Sequence, residues 1–337
     1  MKFNPYVTTL VIGWIALLAV VSSEAQETPT RSIVEIGENL YRAQNNIHYT
    51  VFLVTEEGIV LADPINTDFS VWLKNELAER FDVPVRYVLY SHHHSDHASG
   101  GAVFRDSALF VSHENSVRGL ELGPSDTPLE GDAAAMDANG DGRLQRGETS
   151  GFRESLFDLF DFDEDGEISG AESARGPAND VVVPDLTYKD RMTITLGGKD
   201  VELIYAGAVT HSDDLSIIRF PGARVMFGTD FVVGRQVPGW PVGRGLLDAW
   251  INAIRLAEAL EYEVFAPGHG VVGTKANVAA NRHYLEELRD AVASGIAAGA
   301  SLEEMQNTIL MESYQNWARY DQVHRRNVEG MYVMLTE

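Results

Sequence analysis

Seven consecutive residues, Ser91-His92-His93-His94-Ser95-Asp96-His97, restrict this chain more than any other feature of it. Every position from 92 to 97 except Ser95 is a His or Asp. Each buried imidazole needs partners for its polar nitrogens, so histidines do not bunch inside an apolar core. A solvated surface tract is the alternative, and the spacing argues against it. The cluster follows directly on the strand-like run Val85 to Tyr90. At an extended strand end, His92 and His94 point the same way because they lie two apart. Asp96 and His97 then turn towards a second point, so one short loop offers ligands to two centres. The chain contains no cysteine, which removes thiolate ligands, disulfides and a Cys nucleophile. A metal site here is built from His, Asp and Glu.

Three single residues extend the pattern. His211 sits in Val209-Thr210-His211-Ser212-Asp213, Asp230 in Phe227-Gly-Thr-Asp, and His269 in Pro267-Gly-His-Gly270. The flanking turn residues at 267–270 let a backbone lie close to a site. Taken with the first cluster, the set resembles the metallo-β-lactamase superfamily of di-metal hydrolases over about residues 31–123 and 181–290. The resemblance implies an α/β fold, a four-layer αββα sandwich with its metals at one edge. It implies one metal held by His92, His94 and His211, and a second by Asp96, His97 and His269, with Asp230 bridging. His93 and Ser95 fall at variable positions of the signature. His48, His113, His283 and His324 carry no partner pattern and are expected in structural or surface roles.

Three His and carboxylates around an open position suit catalytic zinc. The expected cofactor is a pair of Zn²⁺ ions, whose shared hydroxide attacks a carbonyl or similar electrophile. Asp96 is the expected catalytic residue, ligating the second metal and orienting the nucleophile. N/O ligands of this kind also admit manganese or iron. The absence of Cys excludes β-lactamases with a Cys ligand, and Asp230 is more typical of the glyoxalase II, lactonase and sulfatase branches. The loop Val237 to Arg244 is expected to line the site, with Trp240 as a platform and Arg235 or Arg244 as an anion anchor.

Away from these motifs the chain reads as alternating strand and helix, a layered α/β protein. Strand-like alternation covers Arg31 to Ala62 and Met192 to Phe231, with hairpin turns at Gly197-Gly198 and Pro221-Gly222. Helical spacing predicts Phe69–Phe81 and segments near 246–260, 275–298 and 302–335, the last opening on the capping box Ser301-x-x-Glu304.

Residues 124–180 differ from everything around them. They hold 15 acidic and 4 basic residues among 57, almost half of the chain's net charge of −24. That shift marks an inserted module interrupting a domain made of 26–123 and 181–337. Within it, Asp137, Asn139, Asp141, Gly142, Arg143 and Glu148 match D-x-[DN]-x-[DN]-G-x₅-E, and Asp161, Asp163, Asp165, Gly166, Glu167 and Glu172 match it again. Calcium needs six to eight oxygens, a bidentate Glu at position 12, and Gly at position 6 for the sharp turn. The two segments resemble EF-hand loops, which implies a small helical insert binding up to two Ca²⁺ ions through those residues. Leu144 and Ile168 occupy position 8, where paired loops touch. Only Thr149 to Phe160 separates the loops, and Phe152 to Phe160 reads as a second entering helix, so side-by-side pairing stays open.

Residues 1–25 combine Lys2, an apolar run from Val7 to Val21 and the small residues Ser23 and Ala25. They read as a cleaved signal peptide, since a membrane span needs about 20 apolar residues. The expected location is periplasmic or secreted, with no stable membrane span after cleavage. A net charge of −24, from 26 basic and 50 acidic residues, argues against nucleic acid as a partner. A small molecule is the expected substrate; oligomeric state is open. Two other readings share these motifs: a non-catalytic calcium or metal-binding protein on a hydrolase fold, and a mononuclear-iron dioxygenase of the same superfamily.

Overall fold

A computed structural model describes residues 28–209, 211–238 and 246–336. The proposed signal segment therefore lies outside the described residues, as do Trp240 and Arg244. The strands, in chain order, are β1 Arg31–Gly37, β2 Leu40–Asn45, β3 His48–Thr55, β4 Gly58–Ala62, β5 Val85–Leu89, β6 Leu109–His113, β7 Arg143–Gln145, β8 Glu167–Ser169, β9 Leu186–Tyr188, β10 Arg191–Leu196, β11 Lys199–Tyr205, β12 Ser216–Phe220, β13 Val225–Gly228 and β14 Val264–Pro267. They form a seven-stranded sheet ordered β1-β2-β3-β4-β5-β6-β9, a five-stranded sheet β10-β11-β12-β13-β14, and the pair β7-β8.

Side-chain alternation builds the layers. On β3 and β4, Val51, Leu53, Val60 and Ala62 point one way and meet Val201, Leu203, Ile218, Phe220 and Phe227 of the second sheet. Their neighbours Phe52, Ile59 and Leu61 point the other way, onto Phe69, Leu73 and Leu77 of the helix Thr67–Arg80. The outer face of the second sheet (Ile204, Ile217, Met226, Phe265) carries the helices Leu247–Ala259, Lys275–Ala297 and Tyr320–Thr336. Helix, sheet, sheet, helix is the expected sandwich. Among the described residues no helix is long and apolar enough to cross a membrane.

Two helices are shorter than the periodicity suggests. The segment 302–335 breaks into Leu302–Thr308, a 3₁₀ turn Glu312–Tyr314, and Tyr320–Thr336, because Met311 and Arg319 take left-handed backbone conformations at φ 44° and 63°. The Ser301–Glu304 capping box is present. Likewise Phe152–Phe160 splits into Gly151–Ser155 and Phe157–Phe160, with Leu156 at φ −119°, ψ 22° between them.

The segment between β6 and β9 packs a small core of its own: Ala133, Leu144, Phe157, Phe160 and Ile168. β7 and β8 pair antiparallel with Leu144 opposite Ile168, so the two acidic loops do lie side by side. The chain then returns to the sheet, where β6 and β9 pair in parallel.

Candidate metal centre

Parallel pairing brings the first part of the site together. β4 and β5 run parallel with Ala62 opposite Leu89, so the residues that follow each emerge at one edge: Asp63 from β4, Ser91 to His97 from β5. The second sheet repeats the device, with Gly228 of β13 opposite Pro267 of β14, and Asp230 and His269 emerge together. The loop carrying His211 leads into β12, which is antiparallel to β13, so it reaches the same edge. A bond from Ser216 N–H to the Ser91 carbonyl (2.7 Å) ties the two sheets there.

At this edge His92, His94, His211 and Asp230 place one ligand atom each within 4.8 Å of one another, and so do Asp96, His97, Asp230 and His269. Asp230 belongs to both groups. Its Oδ2 lies 3.0 Å from His211 Nε2, 3.5 Å from His92 Nε2 and 3.4 Å from His97 Nε2; its Oδ1 lies 3.1 Å from His269 Nε2. Oδ2 of Asp96 lies 3.5 Å from His269 Nε2 and 3.6 Å from His97 Nε2. Ligand atoms around one tetrahedral zinc, at bonds of about 2.0–2.1 Å, stand roughly 3.3 Å apart. The observed spacings bracket that value. His97 Nε2 is buried without a hydrogen bond among two carboxylates, which an ion at that point would satisfy.

Hydrogen bonds behind the cluster orient it. The Asp63 carboxylate accepts from Ser91 N–H (2.7 Å), Ser91 Oγ (2.6 Å) and His97 Nδ1 (2.9 Å). With its own proton directed to Asp63, Ser91 Oγ accepts from His92 Nδ1 at 3.1 Å. Both rings thus turn Nε2 inward, His92 as a neutral ring and His97 as one that gives up its Nε2 proton to a metal. Burial lowers the pKa of His92 and that of His94, the latter to about 2, so both are neutral ligands at physiological pH. Burial also works against charge on His97 and His269, but Asp96 and Asp230 outweigh it, raising His269 to about 9 and His97 well above its usual range. Asp230 is held well below the carboxylate range, its burial outweighed by His97 and His211.

Close approach explains two unusual backbones. A Cβ on Gly268 would meet Thr229 Cγ2 at 2.6 Å, so only glycine lets the two loops touch. Asp230 itself sits at φ 54°, a region that Asp tolerates better than most residues.

Several residues at the site carried no sequence pattern. Asp63 is one; its signal was an Asp-Pro directly after a buried strand at the edge carrying the His cluster. Arg42, buried, donates to the carbonyls of Pro267 and Gly270 (2.8 and 2.7 Å) and pins the His269 loop. His48, expected in a bland role, lies 3.3 Å from Asp96 Oδ2. His93, a variable position, instead meets Asp214 (3.1 Å), while Gly119 packs against its ring. His113 and His324 bond backbone carbonyls, as structural histidines do. A cavity of about 670 Å³ opens on the Asp96–Asp230–His269 side, lined also by His48, Val233, Gln236 and Arg319; Arg235 is exposed and not among its lining residues.

In the acidic segment, Asp161, Asp163 and Glu172 converge within 4.8 Å, and Asp161 Oδ1 is buried with no hydrogen bond. Gly142 and Gly166, at position 6 of each loop, take φ 80° and 91°. The carboxylates at positions 1, 5 and 12 accept their own loop's amides: Asp137 from Gly142, Asp141 from Arg143, and Glu148 from Ala138 and Gln145. In the second loop Asp161 accepts from Gly166, Asp165 from Glu167, and Glu172 from Phe162 and Ser169. Asn139 and Asp163 each accept from the residue two further on.

The family description Metallo-beta-lactamase superfamily matches residues 48–269, and the chain belongs to that superfamily, a family of hydrolases. A linear primary-alkylsulfatase from Pseudomonas sp. (strain ATCC 19151) is 24% identical over 223 residues, which are 64% of this chain and 40% of the relative. The chain therefore spans well under half the length of that curated protein. Among solved structures, a metallo-beta-lactamase from Pontibacter korlensis superposes with a TM-score of 0.53 at 17% identity, over 76% of this chain and 99% of the other. That likeness concerns the fold.

Proposed function

We propose that this chain is an exported dinuclear-zinc hydrolase that cleaves an ester, thioester, lactone, lactam or sulfate ester, with calcium ordering the acidic insert beside the cleft. One observation carries the reading: two groups of four ligand-type side chains share Asp230. In the first, His92, His94 and His211 would hold one zinc; in the second, Asp96, His97 and His269 would hold the other. Zinc, when bound, supplies a Lewis acid and lowers the pKa of water to about 7.

The chain's own groups do the rest. Asp63 and Ser91 fix the His97 and His92 rings. Asp96, within reach of His48 and His269, orients the attacking water and takes its proton. The cavity beside Asp96 receives the substrate. The alkylsulfatase relative supports including sulfate esters in a substrate screen.

Calcium would bind through Asp137, Asn139, Asp141, Arg143 and Glu148 in one loop and Asp161, Asp163, Asp165, Glu167 and Glu172 in the other, positions 143 and 167 through their backbone carbonyls. The buried, unbonded Asp161 oxygen supports this for the second loop. The apolar run at 7–21 followed by small residues supports export.

Elemental analysis of protein purified without stripping tests the reading. About two zinc and up to two calcium per chain are expected. A single iron would favour the dioxygenase reading, and calcium without any transition metal would leave a binding protein on a hydrolase fold.

A further inference from the structure

Arg319 lines the same cavity as Asp96, Asp230 and His269, and it is the one arginine or lysine among the described lining residues. It makes no ion pair or side-chain hydrogen bond among the described residues. That is unexpected in a chain with 50 acidic and 26 basic residues, where carboxylate partners are plentiful. Arg105, Arg219 and Arg282, by contrast, pair with Asp185, Glu202 and Glu258.

Its backbone points the same way. Arg319 sits at φ 63°, a conformation that glycine or asparagine adopts at lower cost. It is locked there by two contacts: Ala318 N–H donates to the Arg235 carbonyl at 3.1 Å, and Val323 N–H closes the first helical turn on the Arg319 carbonyl at 3.0 Å. The fold thus spends a strained position on a long cationic side chain on the wall of the proposed active-site cavity, with no ion-pair partner among the described residues.

The rest of the lining is mixed. Ile47, 70% exposed on the β2–β3 turn, and Val271, 58% exposed beyond His269, present apolar surface on the cavity wall, with Val233 deeper. Gln236 adds a neutral polar group. The described wall therefore carries carboxylates and imidazoles, aliphatic side chains and one guanidinium.

We propose that Arg319 holds an anionic group on the non-reacting part of the substrate, so that the site prefers esters that carry a carboxylate or another anion there. A guanidinium binds a carboxylate through two parallel N–H donors, giving position as well as attraction. Arg319 lies on the cavity wall and Arg235 does not, while Arg244 lies outside the described residues. This inference rests on the hydrolase reading above for its substrate, though not for its binding test.

The experiment compares zinc-loaded full chain with its Arg319→Gln and Arg319→Lys variants on two chromogenic esters, p-nitrophenyl butyrate and mono-p-nitrophenyl glutarate. Arg319→Gln is expected to raise KM for the glutarate ester by about tenfold or more while leaving kcat and the butyrate reaction nearly unchanged. Arg319→Lys restores part of the loss, because it returns the charge without the two-pronged geometry. Equal losses on both esters, or none on either, would overturn the proposal. Titration calorimetry with glutarate itself provides the second readout: binding about tenfold weaker in Arg319→Gln than in the parent supports the assignment. Unchanged glutarate affinity overturns it. If the parent hydrolyses neither ester, the hydrolase reading is what suffers, and the glutarate titration still decides the role of Arg319.

Discussion

Two regions of this molecule gather ligand-type side chains by opposite means. The centre at the sandwich edge draws on residues from Asp63 to His269, buried and braced by hydrogen bonds from both sheets. The acidic segment gathers each set within a dozen consecutive residues, on loops whose carboxylates bond their own backbone and stay largely exposed. Its private core is five residues, against three extended clusters in the sandwich. The contrast is between ligands held at coordination spacing by strand ends of two sheets and ligands held only by their own loop's backbone, the arrangement in which a bound ion would contribute more of the order. Metal removal therefore affects the two regions differently.

The largest expected effect is at the shared residue. Asp230→Asn will lower zinc content at both centres and activity by more than roughly a hundredfold, because one substitution removes a ligand from each. Loss of only one zinc, by elemental analysis, would break the picture of a bridge. Next comes the brace behind the cluster: Asp63→Asn touches no ion, yet it will weaken zinc binding about 10–100-fold by freeing the His97 ring. A chelator competition assay measures this, and parent-like affinity would mean that packing alone orients the ring.

In the acidic segment the effect is one of order rather than chemistry. At calcium a hundred times its Kd, binding stabilises the segment by about 2.7 kcal/mol. Adding EGTA is expected to open 124–180 to protease while zinc stays in place. Glu172→Gln will reproduce this more fully than Glu148→Gln, since Glu172 faces Asp161 and Asp163 at close range. Simultaneous loss of zinc would show that the two regions are one cooperative unit.

The smallest effect separates the regions by protons. Without metal, His269 keeps its proton up to about pH 9, burial being outweighed by Asp230 and Asp96. Zinc binds the neutral imidazole, so loading at pH 7 expels protons and apparent affinity climbs with pH until about 9. In the acidic loops the shifts run the other way: Glu172 is lowered against its burial by the Ser169 and Phe162 amides, and Asp141 by the Arg143 amide. Calcium uptake at pH 7 is therefore expected to release none. Calorimetry in two buffers of different ionisation enthalpy checks both, and equal proton counts would erase the distinction.

The ligand types were legible because they repeat at close spacing: a five-member His/Asp cluster cannot be mistaken for packing, and each twelve-residue loop carries its whole pattern in one stretch. Strand and helix texture indicated a layered α/β protein and the resemblance implied the αββα sandwich; in the structure, alternation such as Val51-Phe52-Leu53, whose members face opposite cores, builds it. Residues with a single role in space left no trace of that kind. Asp63, Arg42 and His48 stand alone in sequence, and only the parallel register of β4 with β5 and the approach of β3 to the His269 loop bring them to the site. The breaks at Leu156, Met311 and Arg319 were hidden for a different reason: none is a glycine or proline, so nothing local announced them.

What the sequence determined by itself was chemistry that is local: which side chains can ligate, which turns require glycine at 142 and 166, and which faces of each strand are apolar. What the tertiary structure decided was coincidence in space. His92 and His211 are 119 residues apart, yet their Nε2 atoms come within 3.0 Å, and Arg319 reaches a cavity whose other walls come from the β2–β3 turn, β3, Asp96 after β5, and the segments after β13 and β14. Coordination and substrate binding depend on distances of a few ångströms between strand ends, and those distances are set by register and sheet packing rather than by spacing along the chain.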